Sequence, residues 1–435
     1  MSSLDVKQAV EAAVKGQVEM EQLSGDERLK LFGRLHNIIL ARSDQFVQML
    51  IAEGRKLPHD AESEVDAILE RLTLTVQEAQ HMFGTYIPSG WTKDTKGRSA
   101  LVERVPLGVV AIISPFNYPL FIPAAKAIPA LLAGNSVVLK PASATPTPMR
   151  LFAKAVLDAG FPKGAFNVVV GSGESVGDLL VRSPDVDAVS FTGSTEVGLE
   201  ITRNAGIKKL QLELGGKGIA MVLADADMKL AAKKIVEGAL KNSGQRCDAI
   251  SLVLVSDADG DVLVGHIVEE MKNFRVGRLI NENAAERVNA LVRDAIQHGA
   301  ELVFGGLSSG TEIEPTLLDN VSLDSEIAKQ EIFGPVIPVV RIGGWESRGG
   351  KYDMMLTIHN RSPFGLDSSI FTSDYREALK LARKMKTGSV TINDYPRHGL
   401  GIFPYGGVKA SGLGREGIGY TIDEMTTLKT IVLTE

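Results

Sequence analysis

The 435-residue sequence has one cysteine, Cys247. No intrachain disulfide and no thiolate-rich metal site can form from it. A lone thiol suits a reducing compartment, and it is either a small core residue or a nucleophile. An excess of basic charge is also missing. The 47 basic and 53 acidic side chains leave a net charge of −6, which gives no reason to expect nucleic acid or an acidic membrane as partner. The opening segment MSSLDVKQAVEAAVKG lacks the basic stretch and apolar run of a secretory signal. The most apolar stretch, 107–139, is interrupted by Pro115, Asn117, Pro119, Pro123, Lys126, Pro129, Gly134 and Asn135. It never reaches the unbroken run of roughly 18 residues that a membrane span needs. A soluble, cytoplasmic protein is expected. Repeats and low-complexity tracts are absent.

What is present is ordinary globular material, with 44% hydrophobic and 23% charged residues, enough to build a sizeable core and to exclude wholesale disorder. The length predicts two or three domains. Residues 5–84 read as helical. Leu31, Phe32, Leu35, Ile38 and Ile39 make one apolar stripe, continued by Phe46, Met49 and Leu50, and Ser24-Gly25-Asp26-Glu27 is a helix start signal. From Val109 the texture changes to short β-branched runs alternating with helical ones. Strands are predicted at 109–113, 136–139, 166–170, 188–191 and 210–214, with helices at 147–159 and 175–181 between them. This alternation predicts βαβ units and a mainly parallel sheet. A second α/β run has helices near 227–242, 259–275 and 284–299, and strands at 249–255, 336–341, 368–371 and 389–392. The last segment, 426–433, alternates like an edge strand and suggests pairing with another subunit. GGWESRGG at 343–350 reads as an exposed loop.

Two glycine patterns fall at strand-to-helix junctions. Gly171-Ser-Gly173-Glu-Ser-Val-Gly177 approximates a dinucleotide fingerprint, but its third glycine comes one residue late, and an ordinary turn explains it as well. Phe191-Thr-Gly193-Ser194-Thr-Glu-Val-Gly198 is sharper: Gly and Ser at a helix start offer free N–H groups to a pyrophosphate. An ordinary N-cap is the alternative.

Four further segments combine with these. They are Ser114-Pro-Phe116-Asn117-Tyr118-Pro, Leu212-Glu213-Leu-Gly-Gly-Lys217, Ser243-Gly-Gln-Arg246-Cys247 and Glu331-Ile-Phe333-Gly-Pro335. With Leu139-Lys140-Pro141, Phe403-Pro-Tyr-Gly-Gly407 and Ser411-Gly412, in this order, the chain resembles the aldehyde dehydrogenase superfamily from about residue 5 onward. Gly84–Trp91, Gly244–Ile250, Ile392–Gly399 and Arg415–Tyr420 resemble most closely the archaeal non-phosphorylating glyceraldehyde-3-phosphate dehydrogenases. The resemblance implies an α/β fold with a Rossmann-type cofactor domain, an α/β catalytic domain and a small β oligomerisation element. The boundaries expected are 1–84 and 106–214, 215–420, and 85–105 with 421–435. The site is expected between the two large domains, at strand carboxyl ends.

The implied chemistry assigns each residue a role. The Cys247 thiolate attacks the aldehyde and forms a thiohemiacetal. The Asn117 amide and the Cys247 N–H receive its oxyanion. Hydride passes to a nicotinamide, and Glu213 activates the water that hydrolyses the thioester. A glutamate at 213 favours a free acid product, because relatives that transfer the acyl group to coenzyme A lack one there. Without the resemblance, Cys247 reads as a buried small hydrophobe and Glu213 as a surface carboxylate. For the cofactor, the resemblance implies that Ser114 and Phe116 line its site. It puts Lys140 on the adenosine ribose, Glu331 on the nicotinamide ribose, Phe333 by the nicotinamide, and Gly193 and Ser194 at the pyrophosphate. NAD-preferring relatives often carry a glutamate where this chain has Ser143. Serine does not repel a 2′-phosphate, so NADP is the expected cofactor, with NAD possible. No metal is expected.

For the substrate, Tyr118 and Arg246 occupy positions that handle phosphate in relatives, and Arg397 is a third candidate. The bland alternatives are a packed aromatic and a loop-shaping salt bridge. The most favoured substrate is glyceraldehyde-3-phosphate, oxidised without phosphorylation in a glycolytic role. An unphosphorylated aldehyde (glyceraldehyde, lactaldehyde or a semialdehyde) is the first alternative, and an inactive structural or binding homologue is the second. Some relatives carry another phosphate-binding arginine near residue 81. This chain has Gln80, His81 and Met82 there, and His81 is the candidate substitute. Relative to the family's pattern the N-terminal segment is short and the stretch 276–287 abbreviated, which bears on assembly as a homodimer or homotetramer more than on chemistry.

Overall fold

A computed structural model describes residues 3–343, 352–398 and 402–434. The loop expected at 343–350 lies outside the described residues except for Gly343. Two parallel sheets organise the chain. In the first, five strands run in the order Lys209–Glu213, Ala188–Thr192, Val109–Ile113, Ser136–Lys140, Phe166–Val168, all parallel, and the short Gly412–Leu413 is added antiparallel beside Lys209–Glu213. Numbered along the chain, the five parallel strands read 5-4-1-2-3, so the strand order reverses at Val109–Ile113. That strand, VVAII, is buried at every position, as expected for a parallel strand covered on both faces.

One face of this sheet packs on the helices of 25–79 and on Phe121–Ala133. The expected start at Ser24 is a full capping box, in which Ser24 and Glu27 exchange backbone and side-chain bonds. Helix Phe121–Ala133 is apolar all round and almost wholly buried, and it ends at Gly134 in the left-handed region (φ 97°). Its two prolines hid it from the periodicity reading. The other face packs on Ser3–Gln22, whose Val6, Val10 and Ala13 meet Val138 and Val189. The helix expected at 175–181 is a π-turn, Gly173–Gly177, followed by helix Asp178–Arg182.

The second sheet has seven strands, in the order Glu301–Phe304, Thr316–Asp319, Val336–Ile342, Ile250–Ser256, Gly218–Val222, Asp367–Phe371, Ser389–Ile392. All neighbours are parallel except the antiparallel Glu301–Phe304. Its helices include Met228–Leu240, Asp257–Met271 and Glu282–Gln297. Three of its strands, Glu301–Phe304, Thr316–Asp319 and Gly218–Val222, are only four or five residues long and carry too little pattern to stand out in sequence. Strand Thr426–Thr434 pairs within the chain, antiparallel to Arg98–Pro106 over nine residues, and Thr85–Ile87 lies on the far side of Arg98–Pro106. Among the described residues no strand covers the other edge of Thr426–Thr434.

The join between the sheets fixes where the motifs meet. Strand Lys209–Glu213 passes through Leu214-Gly215-Gly216-Lys217 straight into Gly218–Val222. No crossover intervenes, so the carboxyl ends of the first sheet face the amino ends of the second. The expectation of carboxyl ends alone is therefore corrected. Ser114, Lys140, Gly193 and Glu213 sit at or beyond carboxyl ends, whereas Cys247, Glu331 and Asp367 precede or open strands of the second sheet.

Candidate active site

Cys247 follows a turn with unusual backbone. Helix Met228–Leu240 gives way to Asn242 (φ 51°, ψ 36°) and Ser243 (φ 58°, ψ 28°), both left-handed, and Gly244 continues with φ 70°. Non-glycine residues enter this region only when their surroundings hold them there. Asn242 is so held: its amide donates to Asn117 O at 3.1 Å, and its Oδ1 accepts from Lys56 at 3.2 Å. Gly244 is obligatory, because a Cβ would lie 2.1 Å from Gly334 O. The turn thereby ties the cysteine loop to the Glu331 motif and to the Ser114 motif. Asn117 Nδ2 completes the link by donating to Gln245 O at 2.9 Å.

Cys247 and Glu213 line one cavity of about 240 Å³, shared with Tyr118, Arg246, Arg397, Lys241 and His398 among others. Glu213 is buried, and neither carboxyl oxygen has a hydrogen-bond partner. Burial first, and then Glu416, pushes its pKa up to about 8, against the pull of Lys126 and His398. Burial also pushes the Cys247 thiol up, opposed by His398, whose Nδ1 lies 3.9 Å from Sγ. Asn117 Oδ1 is likewise buried without a partner.

The basic residues gather in the same cavity. Arg246 donates through Nη2 to Asp248 at 2.7 Å and to Pro396 O at 3.1 Å, while its Nη1 is buried and unpartnered. Its charge is secure: burial opposes it, but Asp248 and Tyr118 raise its pKa. Arg397 is 41% exposed, lies over the Tyr395 ring and pairs with Asp394 at 3.1 Å. Lys241, which sequence reasoning missed, has its pKa lowered by burial and by Arg246. Tyr118 is held under Lys56, whose ammonium is 4.0 Å from the ring centroid. Burial raises the Tyr118 pKa, so the hydroxyl stays protonated as a donor. His81 does not line this cavity. Its ring lies against Gly419 instead.

The residues expected to hold a cofactor cluster around the strand ends of the first sheet. Ser114 Oγ and Thr192 Oγ1 are buried without partners. The Lys140 ammonium donates to its neighbour Pro141 O at 3.0 Å, and burial lowers its pKa. Ser143 is exposed and donates to Gly171 O at 3.0 Å. A Cβ on Gly193 would lie 2.4 Å from the Phe191 ring, and Ser194 caps helix Thr195–Asn204. Glu331 accepts from Gly216 N at 3.1 Å, and burial pushes its pKa up to about 7. Phe116 and Phe333 meet edge to face at 5.8 Å. Among the described residues no group of three or more His, Cys, Asp or Glu side chains is arranged to hold a metal ion, and no helix is long and apolar enough to cross a membrane.

Sequence reasoning also passed over a set of partners that no short motif announces. Asp367 Oδ2 lies 2.5 Å from His398 Nε2. Glu416 pairs with the buried Lys126 and accepts from Tyr405 at 2.9 Å. His398, Tyr405 and Glu416 lay inside segments quoted only for their likeness to relatives. Asp367 and Lys126 had no signal beyond being charged residues in apolar runs.

Comparison with known proteins agrees with this architecture. The family model described as "Aldehyde dehydrogenase family" matches residues 1–431. An NADP-dependent glyceraldehyde-3-phosphate dehydrogenase of Streptococcus equinus is 37% identical over 442 residues, covering 99% of this chain and 91% of that protein. The structure of an NADP-dependent glyceraldehyde-3-phosphate dehydrogenase from Bacillus halodurans complexed with NADP superposes with a TM-score of 0.96 at 37% identity, covering 100% of this chain and 92% of that one. A glyceraldehyde-3-phosphate dehydrogenase of Methanocaldococcus jannaschii complexed with NADP gives a TM-score of 0.93 at 33% identity, with 100% and 95% covered. A full-length family match, the paired α/β sheets and the cavity that joins them lead to one conclusion: the chain belongs to the aldehyde dehydrogenase family.

Proposed function

We propose that this protein oxidises glyceraldehyde-3-phosphate to 3-phosphoglycerate, with NADP as cofactor and without adding phosphate. The observation that carries the substrate assignment is Arg246. Its Nη1 is buried and unpartnered in the cavity that also holds Cys247, with Lys241, Arg397 and the Tyr118 hydroxyl in the same lining. A guanidinium with a free edge beside a second cation suits a tetrahedral dianion. The named activities of the Streptococcus, Bacillus and Methanocaldococcus relatives support the same substrate.

In this reading Cys247 is the nucleophile, and the Asn117 amide with the Cys247 N–H receives the oxyanion. Asn117 spends one amide hydrogen on Gln245 O and keeps the other for this purpose. In its ionised form, which a pKa of about 8 makes the minor one at neutral pH, Glu213 takes a proton from the water that releases the acyl group from sulfur, and no partner occupies its oxygens. The unpartnered Ser114 and Thr192 hydroxyls, the Gly193 cradle and the free N–H groups at Ser194 fit a dinucleotide. Lys140 and Ser143 would hold its adenosine ribose, Glu331 its nicotinamide ribose, and Phe116 and Phe333 would wall the nicotinamide. When bound, the nicotinamide supplies the hydride acceptor. Ser143 favours NADP, and NAD remains usable because serine repels nothing.

The cofactor-binding domain would comprise 1–84 and 106–214, the catalytic domain 215–420, and the oligomerisation element 85–105 with 421–435. A cytoplasmic homodimer or homotetramer serving glycolysis fits this assignment. The test is reduced-cofactor absorbance with glyceraldehyde-3-phosphate and no inorganic phosphate. Turnover should vanish in Cys247→Ser. Arg246→Met should raise KM for the phosphorylated aldehyde by about tenfold or more and leave glyceraldehyde little changed. Equal effects on both aldehydes would remove the phosphate assignment and keep the chemistry.

A further inference from the structure

A nucleophilic thiol needs a group to take its proton, and the one bonded to Cys247 is not Glu213. Neither Glu213 oxygen makes a hydrogen bond. The side chain that reaches the sulfur is His398, with Nδ1 3.9 Å from Sγ, within the range of a bond to sulfur. The opposite ring nitrogen, Nε2, is 2.5 Å from Asp367 Oδ2. The other Asp367 oxygen accepts from the Ser389 hydroxyl. Asp367 opens strand Asp367–Phe371 and is 2% exposed, so it stands on a rigid element. Two more contacts fix the imidazole. It stacks on Tyr405 at 4.5 Å and 14°, and its backbone N–H donates to Asp248 Oδ2 at 3.2 Å. Thiol, imidazole and carboxylate are thus lined up in the order in which nucleophile, base and orienting group are needed.

We propose that His398, oriented by the positioning residue Asp367, takes the thiol proton of Cys247 and holds the sulfur as a thiolate before any aldehyde arrives. The S–H bond breaks, its electron pair stays on sulfur, and the proton forms an Nδ1–H bond. The imidazolium then donates to the thiolate through Nδ1 and to Asp367 through Nε2. No oxidant or co-reactant takes part. The titratable groups around the pair are Asp367, Asp248, Glu213 and Tyr405. Arg246 neutralises Asp248, and Lys126 neutralises Glu416 behind Glu213. Burial opposes a charged His398, but Asp367 and the sulfur outweigh it and hold its pKa well above the ordinary histidine value.

The inference rests on Cys247 being the nucleophile, and that reading fails separately, if turnover survives in Cys247→Ser. Here the readout is the thiol itself. Iodoacetamide alkylation of cofactor-free protein, followed by intact mass, reports Cys247 alone because the chain has one cysteine. Wild type should show two steps between pH 5 and 10 with a plateau between them, and at pH 6.5 the rate should stay within about tenfold of its maximum. His398→Gln should lose the lower step, slow alkylation at pH 6.5 by about tenfold or more, and leave one step at or above the ordinary thiol value of about 8.5. Asp367→Asn should narrow the plateau, with a loss of about two- to tenfold at pH 6.5. A wild-type rate falling about tenfold per pH unit from 9 to 6, with no plateau, overturns the proposal without any variant. A folded His398→Gln with the wild-type profile, or one slowed equally at every pH, also overturns it. An unmoved profile in folded Asp367→Asn removes Asp367 from it.

Discussion

Two regions of this molecule bury charge, and they treat it in opposite ways. On the wall of the cavity, which Glu64 lines, Lys56 and Glu64 form an ion pair at 3.2 Å with side chains 1% and 0% exposed. Glu64 also accepts from Leu120 N and Phe121 N at 2.9 Å, at the start of helix Phe121–Ala133, and Lys56 donates to Asn242. Lys217 is equally well served, because its ammonium donates to the carbonyls of Ser251, Ile327 and Gln330. Two groups of the same cavity lining differ: Glu213 has no hydrogen-bond partner on either oxygen and Arg246 Nη1 has none, and next to Tyr118 in sequence Asn117 Oδ1 also has none. A buried polar atom without a bond costs about 1–3 kcal/mol. Such atoms persist where neighbours with complete bonds leave them no room to turn away. The Lys56–Asn242–Asn117 chain is such a neighbour: it holds the left-handed turn before Cys247 and the backbone of the oxyanion candidate together. Here the complete bonds hold the turn before Cys247, and the unpartnered atoms of Glu213 and Arg246 stand in the cavity; other unpartnered atoms, such as those of Arg28, Thr145 and Thr387, lie elsewhere.

Removing the largest deficit should give the largest effect. Glu213→Gln keeps the shape of the side chain and deletes its ionisation. Steady-state turnover should fall about 10²–10⁴-fold, while a rapid first turnover of cofactor reduction survives, because only the hydrolytic base is lost. Stability should move the other way. The folded-state pKa of Glu213 is raised to about 8 from an ordinary 4.5. Its favourable contribution is therefore complete below the ordinary value and is lost as pH rises through about 8. Glutamine has no such loss. The variant should match wild type in unfolding free energy at pH 4.5 and exceed it at pH 9, by on the order of 1–3 kcal/mol, with a correspondingly higher Tm. A Tm difference that is the same at both pH values would mean the carboxyl is not held protonated by the fold.

Breaking a brace should cost stability first and activity second. Glu64→Gln leaves the Lys56 charge buried with its partner neutralised, and about 3–5 kcal/mol of stability should go, read as a lower denaturant midpoint. The double variant Lys56→Met/Glu64→Leu should recover part of that loss, because it leaves no unpaired charge. Its Asn242 would still lack a donor at Oδ1, so activity should stay depressed when stability returns. Full recovery of both would make the pair a stability element with no bearing on the turn.

These contrasts also separate what the sequence made legible from what it did not. The parallel strand series from Val109 to Glu213 was readable because buried parallel strands are β-branched runs, with helical patterns at 147–159 and 175–181 between some of them. Cys247, Glu213 and Asn117 could be singled out as candidates because they sit in motifs whose order along the chain matches a known family. The braces were not readable. Lys56 and Glu64 reach Asn242 and Leu120 over long separations in sequence, and each alone looks like any charged residue on a helix. His398 and Asp367 are 31 residues apart and meet only because the segment after strand Ser389–Ile392 comes back to the amino end of the neighbouring strand, where Asp367 sits. The expectation that the site uses carboxyl ends alone was incomplete for a related reason. The direct link at Gly215-Gly216 turns the second sheet's amino ends toward the first, and no local pattern encodes that.

The mildest test concerns an exposed polar group that belongs to neither region. Ser143 donates to Gly171 O at 3.0 Å from an exposed position, so replacing it disturbs no buried bond. Ser143→Glu should leave Tm within about 0.5 kcal/mol of wild type. If Ser143 faces the adenosine ribose, the added carboxylate repels a 2′-phosphate and accepts from a 2′-hydroxyl. NADP affinity should then fall about tenfold and NAD affinity hold or rise, as measured by fluorescence titration with each cofactor. The sign of this difference matters more than its size. A loss for both cofactors would mean the carboxylate only distorts the Ser143–Gly171 contact. No change for either would put the ribose elsewhere. Only opposite movements assign cofactor choice to a residue whose own bonds contribute almost nothing to the fold, and they would extend the contrast outward: stability in the complete buried bonds, chemistry in the incomplete ones, selectivity at the surface.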